Sequence, residues 1–176
     1  MRVIAGRLGG RRFISPRGHR THPMSDKIRG ALFNTLGELD GLTVLDPFAG
    51  SGALAYEAVS RGAERAMAID IDTSAQQAIT ANISDLGLKH QVKLIRASAG
   101  AWLSTSDEHF DIVLCDPPYE DYQAKLLGQL ADRAKSGGLV VLSLPPTASV
   151  ELPDTFEKLL VKDYGDAQLV FYRKTS

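Results

Sequence analysis

The chain has 176 residues, 44% of them hydrophobic, and a formal net charge of −1. That length is enough for one well-buried domain, and a single cysteine excludes an internal disulfide and any multi-cysteine metal site. No apolar run approaches the ~18 residues of a membrane span. The opening Met1-Arg2-Val3-Ile4-Ala5-Gly6-Arg7 lacks the apolar core of a signal peptide, so a soluble, intracellular protein with no membrane partner is expected.

The near-neutral total hides a division. Residues 1–29 carry Arg2, Arg7, Arg11, Arg12, Arg17, Arg20, Lys27 and Arg29 against one acid, Asp26. The other 147 residues hold 12 basic and 20 acidic side chains. Such asymmetry suits a basic arm for nucleic acid on an acidic body; on charge alone, a solubilising tail fits equally well.

In chain order, Arg2–Ala5 and Arg12–Ser15 are short β-rich pieces around a Gly9-Gly10 turn signal, so a small hairpin is expected. A helix starts after Ser25 as N-cap, places Ile28, Ala31, Leu32, Thr35 and Leu36 on one face, and closes at Gly37. Strands and helices then alternate. Strands are expected at Thr43–Asp46, Arg65–Asp70, Val92–Ala97, Phe110–Cys115 and Leu139–Leu144, and helices at Ala53–Arg61, Ser74–Leu86 and Tyr122–Ala134. Ser136-Gly137-Gly138 reads as the turn into the fifth strand. Phe156–Lys162 and Ala167–Arg173, around Tyr164-Gly165-Asp166, are spaced for a hairpin. The pattern describes an α/β fold: a seven-stranded, mostly parallel, doubly wound sheet with a C-terminal antiparallel hairpin. Residues 1–40 form the basic extension and 41–176 the main body, within one compact unit.

The first main strand runs into Asp46-Pro47-Phe48-Ala49-Gly50-Ser51-Gly52. Gly50 and Gly52 allow a tight turn and close approach to a ligand, and Ala55 allows a helix to pack closely. Read mechanically this is G-x-G-x-x-A, a weak signal by itself. Asp46 would repel a pyrophosphate and favour a cationic ligand such as S-adenosylmethionine (SAM). Asp70, with Ile71 beside it, ends the second strand where an acid can accept ribose hydroxyls. Ser98 and Ala99, after the third, are candidates for the adenine pocket or for an ordinary loop.

The fourth strand delivers Asp116-Pro117-Pro118-Tyr119 to its C-terminal end. Two prolines fix φ and donate no hydrogen bonds, which leaves aimed carbonyl acceptors beside a carboxylate and an aromatic ring. The set suits a flat heterocycle bearing an amino group. Asp116 and the Pro117 carbonyl would accept the amino N–H groups and turn the lone pair towards a methyl donor, a positioning effect. Tyr119 would stack on a base swung out of its own stack. Cys115 lies within the apolar strand and reads as a core residue.

These segments resemble the class I, Rossmann-like, SAM-dependent methyltransferases of exocyclic amino groups. The chain as a whole resembles one family of them, the bacterial RsmD-type guanine-N2 methyltransferases of 16S ribosomal RNA. The resemblance rests on Arg2-Val3-Ile4-Ala5-Gly6, Gly10-Arg11-Arg12, Pro23–Arg29, Ala31–Asn34, Val44–Leu54, Ser60–Ala63, Asp116–Tyr119 and Tyr164-Gly165-Asp166, in order from residue 2 to about 172. It implies methyl transfer from SAM, leaving S-adenosylhomocysteine, to one guanine N2 of small-subunit ribosomal RNA or an assembly particle, by a monomer without a metal. Catalytic roles fall to Asp116, Pro117, Pro118 and Tyr119. Cofactor contacts fall to Asp46–Gly52, Asp70, Ile71, Ser98 and Ala99, and RNA contacts to Arg2, Arg7, Arg11, Arg12, Arg20, His22, Lys27 and Arg29. Three positions depart from the family's usual pattern: His22 stands for Arg, Gly30 for Glu, and Ser98 for an acid. The competing readings are an amino methyltransferase of DNA or another RNA, acting on adenine N6 or cytosine N4, and a non-catalytic SAM-binding assembly factor.

Overall fold

The computed structural model describes residues 1–18 and 23–176; Arg20 and His22 lie outside them. Twelve elements follow in order: α1 (Asp26–Leu36), β1 (Thr43–Asp46), α2 (Ala53–Ser60), β2 (Arg65–Asp70), α3 (Thr73–Asp85), β3 (Val92–Arg96), α4 (Ala99–Thr105), β4 (Phe110–Cys115), α5 (Ala124–Ala131), β5 (Ala134–Leu144), β6 (Phe156–Asp163) and β7 (Gln168–Lys174). The strands form one sheet in the order β3-β2-β1-β4-β5-β7-β6. Pairings from β3 to β5 are parallel, and β7 runs antiparallel between β5 and β6. Among the described residues no helix is long and apolar enough to cross a membrane.

Strand alternation divides the core into two layers. Val44, Ile112, Leu114 and Val141 face α2, α3 and the N-terminal segment. Leu45, Val113, Cys115, Val140 and Leu142 face α4 and α5, where Trp102, Leu127 and Leu130 meet them. Both faces of the central strands are therefore covered, and their burial is nearly continuous.

The N-terminal segment is packed into the first of these layers. Its hairpin is reduced to one antiparallel bridge, Arg2 with Arg12, flanked by Val3 N→Arg11 O and Phe13 N→Met1 O at 2.9 and 3.0 Å. The expected strand at Arg2–Ala5 does not extend, because its amides turn to α2. The Glu57 carboxylate accepts from the amides of Ile4 (2.8 Å) and Ala5 (3.1 Å), and Ser60 Oγ accepts from Leu8 (2.9 Å). At Gly6 (φ +81°) a Cβ would stand 2.0 Å from the Ser60 carbonyl oxygen, so only glycine allows this approach. Val3, Leu8 and Phe13 are buried, and Phe13 meets Tyr56 edge-on at 5.1 Å.

The structure amends the sequence reading at three elements. α4 is an additional short helix, capped by Ser98 Oγ accepting from Ala101 N at 3.1 Å. α5 is shorter than expected because Gln123, at φ 39°, turns left-handed just before it. The Ser136-Gly137-Gly138 turn lies inside β5 as a bulge: partners step from Phe110/Ala134 to Ile112/Leu139.

Gly30 sits inside α1, where a Cβ would meet only the Ile4 side chain, at 3.8 and 4.0 Å. These are ordinary contacts, and alanine recovers the helix propensity that glycine forfeits. Gly30→Ala should therefore stabilise the fold by about 1 kcal/mol, read as a higher midpoint in urea at unchanged slope.

Candidate active site

Successive connections leave β1 and β4 in opposite directions along the sheet, so a crevice opens between their C-terminal ends, the usual ligand position in such folds. A cleft of about 1350 Å³ occupies it. One wall is the loop from β1 to α2: Pro47, Phe48, Ala49, Gly50 and Ser51 line the cleft, with Asp70, Ile71, Ser98 and Ala99 beyond them. The other wall is Asp116–Tyr119, faced by Met24 and Ile28 from the N-terminal segment and by Asp166 from the β6–β7 turn. The two groups of residues read from the sequence thus share one cavity.

The cofactor side is tightly tied. Gly50 N donates to Asp70 Oδ2 at 2.8 Å, which joins the loop to the end of β2. Gly52 (φ +87°) lies behind the loop, and a Cβ there would reach within 2.3 Å of the Tyr56 hydroxyl. A Cβ on Gly50 would find nothing within 4 Å, so the loop backbone is open to a guest. Asp46 departs from its expected place. It is fully buried and absent from the cleft lining; Oδ1 accepts from Phe48 N at 3.3 Å, and Oδ2 has no partner. Burial first, then the charges of Asp116 and Asp70, push its pKa well above the usual carboxylate range. Asp70 is also raised, mainly by burial, while amides of the loop and of Asp72 hold it down.

These features fit SAM. A cation entering the cleft beside Asp70 and Asp116 relieves the repulsion that these two carboxylates and the buried Asp46 exert on one another. Ile71, 68% exposed at the cleft, offers an apolar face to an adenine ring. Ser98 occupies its hydroxyl in capping α4, so it contributes position more than an open acceptor.

On the opposite wall, Pro117 is buried, Asp116 and Tyr119 are half-buried, and Pro118 is exposed. The Pro118 carbonyl closes a turn with Asp121 N at 3.1 Å, whereas no hydrogen bond to the Pro117 carbonyl is found among the described residues. Burial pushes the Asp116 carboxyl up to about 6, with a hydrogen bond from Ser143 acting the other way. The Tyr119 hydroxyl lies 2.6 Å from Ser143 Oγ. Cys115 is 1% exposed and burial pushes its thiol pKa far up, so it is core, not nucleophile.

Sequence reasoning missed Ser143, although it is the only polar side chain in Leu139–Leu144. Asp166 stands out in the sequence only through Tyr164-Gly165-Asp166, as a hairpin connection and a segment of the family resemblance.

The basic candidates divide. Arg12 and Lys27 are exposed. Arg2 pairs with Asp26 at 3.3 Å, Arg7 bonds Gln91, and Arg11 donates to the Asp85 carbonyl at 3.0 Å; all three remain exposed. Arg29 does not belong with them. Its side chain is 0% exposed, 3.6 Å from the equally buried Glu57, and it donates to the Arg2 carbonyl and to Asp26. It braces the segment against α2 and has no surface to offer a phosphate.

Fold and cleft together define a class I methyltransferase. The family described as "Conserved hypothetical protein 95" matches residues 1–173. "Putative rRNA methyltransferase YlbH" of Bacillus subtilis is 34% identical over 99% of both chains. "Ribosomal RNA small subunit methyltransferase D" of Escherichia coli is 33% identical over 68% of this chain and 60% of its own length. The structure of "Putative methyltransferase yhhF" from Escherichia coli superposes with a TM-score of 0.88 at 26% identity, covering 99% of this chain and 98% of that one. The chain belongs to this family, that of the RsmD-type methyltransferases.

Proposed function

We propose that the protein transfers a methyl group from SAM to the exocyclic N2 of a guanine in small-subunit ribosomal RNA. The observation that carries this is the meeting in one cleft of an open glycine loop and Asp116-Pro117-Pro118-Tyr119. SAM supplies the electrophilic methyl group and leaves as S-adenosylhomocysteine. Asp116, ionised above about pH 6, accepts one amino N–H and the Pro117 carbonyl the other, so the nitrogen lone pair leaves the ring plane. The proton released passes to Asp116 or to water. Tyr119 stacks on the extruded base. Guanine is favoured by Asp166, a further carboxylate on the target side of the same cleft. The guanine edge presents N1–H and N2–H2 as adjacent donors, whereas adenine and cytosine set an acceptor beside their amino group.

The exposed arginines and Lys27 of the N-terminal segment hold the RNA backbone around the flipped base, where loops and bulges permit extrusion. Replacing Arg11 and Arg12 together by alanine should weaken RNA binding and flatten its dependence on salt; an unchanged slope would remove the segment from the interface.

The deciding experiment supplies labelled SAM to small-subunit RNA and particles lacking the modification, followed by nucleoside analysis. N2-methylguanosine formed by the wild type and lost in Asp116→Ala supports the proposal. N6-methyladenosine or N4-methylcytidine would replace guanine as target, and no transfer to any RNA would leave a binding factor.

A further inference from the structure

We propose that Ser143 is a positioning residue that couples the stacking ring of Tyr119 to the carboxylate of Asp116 through one shared hydroxyl. The inference rests on Asp116 being the acceptor for the target amine. Ser143 is 2% exposed and borders the target side of the cleft. The parallel register pairs Cys115 with Leu142, so the next step along both strands brings Asp116 beside Ser143. Its Oγ stands 2.6 Å from the Tyr119 hydroxyl, and Ser143 and Asp116 line the same recess at the end of the two strands, where the hydroxyl favours the charged form of the Asp116 carboxyl.

Valence sets the direction of this chain. An ionised carboxylate only accepts, so the single Ser143 proton points to Asp116, and the Tyr119 hydroxyl must donate to Ser143. The ring that stacks on the base is thereby fixed relative to the group that grips its amine. Without the serine hydroxyl the Tyr119 ring loses its partner at the tip, and Asp116 loses a neighbouring donor that favours its charged form. The other ionisable groups around Asp116 are Asp46 from β1, the adjacent Cys115, Tyr119 itself, and Asp166 against Tyr119. All of them stay in place when Ser143 is changed.

The test uses the full chain as wild type, Ser143→Ala, Ser143→Thr, Tyr119→Phe and the Ser143→Ala/Tyr119→Phe pair. Two quantities are read: the carboxyl carbon resonance of Asp116 against pH, on protein alone, and single-turnover methyl transfer to unmodified small-subunit RNA. In Ser143→Ala the Asp116 midpoint should rise by about half a pH unit. Transfer should slow about tenfold, with SAM affinity and melting temperature near wild type. Ser143→Thr, which keeps the hydroxyl, should restore the midpoint, and Tyr119→Phe should add little to Ser143→Ala. An unmoved midpoint, or additive losses in the pair, overturns the coupling. Because the titration needs no substrate, it decides the coupling even if no RNA is methylated. Conversely, an active Asp116→Asn would sink the amine-acceptor reading alone.

Discussion

Asp116→Asn should slow methyl transfer by roughly 10²–10³-fold and at the same time make the protein harder to unfold at neutral pH. The loss follows from hydrogen-bond capacity. An amide keeps one acceptor and adds two donors; with its oxygen turned to Ser143, it presents N–H groups to a base edge made of donors. The gain follows from burial, which raises Asp116 from 3.8 to about 6. Between those values the folded protein binds protons more tightly than the unfolded chain. The stability associated with this group therefore falls as pH rises from about 4 to about 6 and stays reduced above that range. Asparagine removes the buried charge and with it that slope. In the wild type, the rate of transfer should climb with pH through about 6 as the carboxylate forms. Thermal melts and single-turnover rates from pH 5 to pH 8 read both effects, and an Asp116→Asn protein that melts lower at neutral pH would contradict the burial argument.

Glu57→Ala should be the most damaging single change outside the cleft, costing about 3–5 kcal/mol of a total that is commonly 5–15 kcal/mol. The carboxylate is 0% exposed, accepts from three donors, the Ile4 and Ala5 amides and Arg61 Nε at 2.7 Å, and is the ion-pair partner of the buried Arg29 guanidinium at 3.6 Å. Its removal leaves Arg29 facing only the half-exposed Asp26 as counter-charge. Nε and Nη1 of Arg29 already lack hydrogen-bond partners, so nothing compensates. Arg29→Met should cost less, because Glu57 would keep Arg61 and both amides. Urea titration of the two variants reads the order, and equal costs would show that the Arg29 pairing, not the two amides, carries the contribution of Glu57.

The elements legible in the sequence were those whose apolar pattern and boundary residues agree. β2 and β4 have the expected bounds, since each is a short apolar run between charged or turn residues. α4 was hidden because its seven residues include Gly100 and end in Ser104-Thr105, a composition that locally favours a loop. Gly137-Gly138 was a sound turn signal, but three-dimensional pairing with β4 absorbed it as a bulge. That the glycine loop and Asp116–Tyr119 face one cleft was legible because each follows directly on a recognisable strand. Burial was not: Arg29 and Lys27 are two positions apart on one helix, yet one is fully enclosed and the other exposed. Ser143 was equally silent, for its role depends on which strand lies beside β4.

The packing of Val3, Leu8 and Phe13 into the layer beneath α2 bears on how such an enzyme acquires a new target. A recognition tail hung on a finished domain can be exchanged as a cassette. Here the segment that carries the basic residues also completes the interior, so replacing it wholesale would unfold what it was meant to redirect. With the RNA held as proposed, new specificity would arise by substitution at its outward positions, such as Arg12 and Lys27, one side chain at a time.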